Sequence, residues 1–83
     1  MADPEFVQAW AAVHDDTPDG WYVGRPGWED SYQQWTMHAF DTREKAVEGK
    51  RSREWTAVGQ SELLVVQEMA RCLGELKAGR WPK

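Results

Sequence analysis

The stretch that most constrains the fold is Gly59-Gln60-Ser61 followed by Glu62 to Lys77. Ser61 is a good N-cap, and Glu62 suits the positive end of a helix dipole. Val66, Met69, Ala70, Leu73 and Leu76 recur at helical spacing with Leu63 at the edge of the stripe, which predicts an amphipathic helix over 62–77. Lys77 complements its negative end, and Gly79 can close it. A single apolar stripe must be buried against something. The residues just upstream supply a partner, because Arg53 to Val58 reads as a strand with Trp55 and Ala57 on one face and Thr56 and Val58 on the other.

The rest of the chain must complete that sheet and helix. Asp3 as N-cap, Pro4 at the first helical position and Glu5 in the first turn open a helix. Phe6, Ala9, Trp10 and Val13 continue it at helical spacing. Asp15 and Asp16 oppose the dipole and Thr17-Pro18-Asp19-Gly20 is a turn, so this helix is expected to stop near His14. Residues 1–6 also admit a second reading, since Ala-Asp-Pro-Glu-Phe is what two adjacent cloning sites encode in one frame. Trp21 to Gly24 is of strand type, and Arg25-Pro26-Gly27 breaks it. Trp28 to Ser31 reads as loop. Tyr32 to Phe40 is the clearest strand, with Gln33, Trp35, Met37 and Ala39 on the expected core side. Asp41 to Arg51 stays open between a long hairpin and a short helix, with Asp41 and Glu44 spaced as a capping box and Gly49 placed to end one or two turns.

The order helix, three antiparallel strands, helix predicts a two-layer α+β domain with both helices on one sheet face. Residues 7–79 form this single domain and 80–83 a tail. The order resembles that of double-stranded RNA-binding domains. Such a resemblance implies lysines at the start of the last helix to grip phosphates, where this chain has Gln60, Ser61 and Glu62.

Composition narrows the function classes. The 83 residues bury only part of their surface, and six Trp, two Tyr and two Phe supply large rings for the core. A single cysteine, Cys72, forbids an intrachain disulfide and points to the cytoplasm. No apolar run approaches the ~18 residues of a membrane helix, and the opening residues carry no signal-peptide core. Ile and Asn are absent, as in a GC-rich bacterial or phage gene. Net charge is −4, divided unevenly. Residues 1–42 hold eight acidic groups against Arg25 alone, giving −7, whereas 43–83 hold six against nine Lys and Arg, giving +3. Complementary halves of one folded domain account for that division.

No catalytic set stands out. His14, His38 and Cys72 are too scattered for a zinc site, and neither a metal nor a cofactor is expected. Ser31, Ser52 and Ser61 sit where loops and caps want them, not in a nucleophile elbow. The residual enzymatic reading is a small nuclease using His38 with Arg or Lys neighbours. A nucleic-acid surface would use Arg43, Lys45, Lys50, Arg51 and Arg53 with Trp55 beyond, but Glu44, Glu48 and Glu54 are interleaved. The favoured reading is a non-enzymatic regulatory module that binds a protein partner. Its surface would be Trp28 and Arg25 in an aromatic loop, with Tyr32, His38 and Phe40 on the open sheet face. Leu63 to Val66 exceed what one stripe needs, so a homodimer through them or through a sheet edge is a further expectation.

Overall fold

The computed structural model describes residues 3–41, 43–48 and 55–80. Its elements in chain order are α1 (Pro4–Asp16), β1 (Tyr22–Val23), β2 (Gly27–Glu29), β3 (Gln34–Phe40), α2 (Arg43–Glu48), β4 (Thr56–Gly59) and α3 (Glu62–Lys77). The α+β class and the expected order hold, with two refinements. The sheet has four strands and not three, since Gly27–Glu29, expected as break and loop, forms the additional strand β2, and a six-residue helix follows β3, deciding part of the 41–51 ambiguity in favour of a helix.

β3 is the central strand. At Thr36 it pairs with Gly27 of β2 and with Val58 of β4, so those two strands flank opposite edges. β1 continues the β2 edge: Tyr22 faces Phe40, Val23 faces Ala39, and the Gly24 N–H donates to the His38 carbonyl at 2.9 Å. Between the Gly24–His38 and Gly27–Thr36 levels, Arg25 and Pro26 together stand opposite Met37, where regular pairing has one residue. This is a β-bulge, and it bends the edge strand. Residues 28 and 29, expected to be loop, are strand because Trp28 and Glu29 pair with Trp35 and Gln34. The hairpin turn then takes Asp30 to Gln33, so β3 begins at Gln34 and not at Tyr32.

That turn carries a strained residue. Gln33 has φ +52, a left-handed conformation that costs a side chain with a Cβ about 1–2 kcal/mol. Its amide Nε2 donates to the Asp30 carbonyl at 3.1 Å, which offsets part of the cost. Gln33→Gly should therefore raise stability by about 0.5 kcal/mol, read as a higher urea midpoint at unchanged m value. A lower midpoint would refute the strain.

α1 and α3 lie side by side on the face of the sheet that carries Met37, Ala39 and Ala57. They run in the same direction, since Asp16 at the end of α1 meets Gly74 and Lys77 at the end of α3. The core unites Ala9 and Val13 of α1 with Val65, Val66, Met69 and Leu73 of α3 above those three strand residues. Trp10, Trp21, Trp35 and Trp55 pack around its margin. α1 is capped as read: the Asp3 carboxylate accepts from Glu5 N–H at 2.9 Å and Pro4 opens the first turn. It runs two residues beyond His14 because Asp16 is 3.8 Å from Lys77, which offsets its clash with the dipole. Thr17 closes the helix, its backbone N–H and hydroxyl both donating to the Val13 carbonyl.

α3 starts as read, with Ser61 Oγ accepting from Leu64 N–H at 3.1 Å. Gly79, at φ +80, ends it in a Schellman motif in which Gly79 N–H donates to Leu76 and Arg80 N–H to Glu75. Its buried face is wider than expected, taking in Val65 and Cys72, while Ala70 and Leu76 sit at the margin. The Leu63–Val66 surplus is thereby corrected. Val65 and Val66 are fully buried, Leu63 is half-buried, and Leu64 alone of the four is exposed, at 49%. A dimer contact through all four is not available.

Candidate functional site

The helices cover one sheet face, and the other is where strand register gathers polar and aromatic side chains. Gln34, Thr36 and His38 of β3 alternate away from the core, opposite Glu29 on one side and Val58 and Thr56 on the other. With Tyr32 from the hairpin turn they line a shallow concavity of about 570 Å3. Tyr32 is 69% and Val58 47% exposed. His38 Nδ1 lies 2.9 Å from the Thr56 hydroxyl, so a cross-strand hydrogen bond fixes the imidazole plane. Among the described residues no Lys or Arg lines the concavity.

The structure brings together only part of the expected protein-binding set. Tyr32 and His38 share the concavity. Phe40 points to the same side but is only 9% exposed, so it is corrected from a contact residue to a buried one. It lies at the end of β3 next to α2, which packs on β1 and β3. Trp28 is in register with Trp35 and so faces the helix side, its ring 6.0 Å from that of Trp35 at 69°. Its indole N–H donates to the Asp30 carboxylate at 3.0 Å, and half of its surface is exposed. Arg25 sits in the bulge, apart from the concavity. Sequence reasoning missed Glu29, Thr36, Thr56 and Val58, whose common signal is alternation on strands that pair with β3.

The basic cluster is only partly described. Arg43 and Lys45 are exposed on α2, and Lys45 is held by Asp41 at 2.8 Å. Lys50, Arg51 and Arg53 lie outside the described residues. Trp55 is no exposed stacking platform, because its ring meets Trp21 edge-on at 4.9 Å and 87° beside the core. The exposed start of α3 carries Glu62, the reverse of a phosphate-gripping charge.

Cys72 is buried, and burial raises its thiol pKa above the ordinary value, helped by Glu68 and opposed by Arg71. Such a thiol stays protonated and inert. Among the described residues no three His, Cys, Asp or Glu side chains gather as a metal site. No helix among them is long and apolar enough to cross a membrane. Compared with protein-family models, curated sequences and solved structures, the chain matches none.

Proposed function

We propose that this protein is a small, non-enzymatic regulatory module of the cytoplasm that binds a protein partner through the open face of its sheet. The observation that carries this reading is the concavity itself: an exposed tyrosine and valine at its rim, hydroxyl, amide and imidazole groups on its floor beside the Glu29 carboxylate, and no Lys or Arg lining it among the described residues. Interface cores are enriched in aromatic anchors. Tyr32 is the anchor, Val58 the apolar rim opposite it, and His38 with Thr36 supplies directional hydrogen bonding.

The test is the affinity of a partner co-purified from the native host. Tyr32→Ala with Val58→Glu should weaken it by about 30-fold, as for a hot-spot pair, while Arg43→Ala with Lys45→Ala changes little. Equal binding by the first double variant would sink the site. So would retention of duplex DNA or RNA at low salt that the second double variant abolishes.

A further inference from the structure

Strand register leaves an empty place beside the concavity. Gly27 of β2 stands opposite Thr36 of β3, and residues directly opposite in an antiparallel pair share a face, about 5 Å apart at their Cβ positions. Thr36 alternates with buried Met37 and so lies on the open face. A side chain at position 27 would project there too, and a Cβ built on Gly27 meets nothing within 4 Å. Neither a positive φ nor a close neighbour demands glycine at this point. A glycine inside a strand marks a bulge or the approach of another molecule, and the bulge here falls at Arg25 and Pro26.

The charge beside this place is negative. Two residues along β2, Glu29 faces Gln34 on the same side and lines the concavity with Thr36. Its carboxylate is the one Asp, Glu, Lys or Arg charge among the described lining residues. A partner that covers the face strips water from it, which costs free energy unless a cation comes with the cover. A carboxylate has about four acceptor sites, so contacts within the chain leave room for an incoming guanidinium or ammonium. The exposed Tyr32 ring favours the same choice, because the face of a phenol ring attracts cations. From Gly27 to Glu29 is about 6–7 Å of strand, a span that an extended lysine or arginine stem covers.

We infer that the partner, docked on the open face as proposed above, lays an arginine or lysine side chain over Gly27 with its cationic end at the Glu29 carboxylate. The inference rests on the open-face reading and adds its chemistry: Glu29 selects the charge, and Gly27 keeps the approach clear.

The test titrates the intact, isotope-labelled chain with capped Gly-Arg-Gly, Gly-Lys-Gly and Gly-Gln-Gly tripeptides, following the amide signals of residues 27, 29 and 36. The two cationic probes should shift these signals saturably at millimolar concentration, and the glutamine probe should bind about tenfold more weakly. Glu29→Gln should bring the cationic probes down to the glutamine level. Gly27→Leu should block all three, while its urea midpoint stays at or above the parent's, because the new side chain meets open space and glycine's freedom in the unfolded chain is lost. With the co-purified partner, each substitution should weaken affinity by about tenfold. Absence of binding by both cationic probes, equal binding of all three, or full probe affinity in Glu29→Gln would overturn the inference. So would a partner affinity indifferent to Glu29→Gln yet lowered by Tyr32→Ala with Val58→Glu, a result that leaves the open-face reading standing. If neither variant changes partner affinity, the open-face reading itself fails. Probe binding that emerges only in Arg51→Ala with Arg53→Ala would give the place to this chain's own basic residues and remove the partner from it.

Discussion

Leu73→Ala should lower the stability of this domain by about 3 kcal/mol, whereas Leu64→Ala on the same helix should cost less than about 0.5 kcal/mol. Leu73 is fully buried where α3 meets α1 and the sheet, so truncation leaves a cavity that a close-packed interior fills only partly. Leu64 keeps half its surface in water and has little burial to lose. A domain of 83 residues has a total stability of roughly 4–12 kcal/mol, so the first variant should be partly unfolded at modest urea. Paired urea titrations decide it through the midpoints. A Leu73→Ala midpoint equal to that of Leu64→Ala would mean that the core is not where the structure puts it.

The second large effect is expected at Gly59, where β4 turns into α3. A Cβ there would stand 2.7 Å from the Val65 backbone nitrogen and 3.0 Å from the Leu64 carbonyl carbon. Both neighbours are backbone in the first turns of a helix whose Val65 and Val66 are locked in the core, so neither can yield cheaply. Gly59→Ala should cost about 2 kcal/mol, which lowers Tm by roughly 8–16 °C for a domain of this size. Thermal melts followed by circular dichroism measure it. If the variant melts with the parent, strand and helix do not approach so closely.

The contrast between these positions also explains what could be read from the sequence. α3 was legible because its information is local: a serine cap, an acidic first turn, a period of 3.6 and a terminal glycine. β3 and the faces of β4 were legible for the same reason, through alternation. β2 was not, since Gly27-Trp28-Glu29 is a poor strand by propensity and becomes one only by pairing with Trp35 and Gln34. The burial of Val65 and Cys72 depends on how α3 packs against α1, β3 and β4, which no spacing within α3 encodes. α1 outran its expected end because a distant lysine met Asp16. As for the site, Tyr32 and His38 were found as exposed-face residues. The concavity between them was not, because it exists only once three strands are set in register.

The bulge at Arg25 and Pro26 has a consequence for how molecules of this protein meet in a crowded cell. The outer edge of a sheet is a template on which another strand can lie, and proteins protect themselves by interrupting it. Here that edge offers two paired residues, then a proline without an N–H and a register slip, then three more. No invading strand can stay in step across such a break. The edge of the sheet that carries Arg25 is thus a poor template for edge-to-edge pairing.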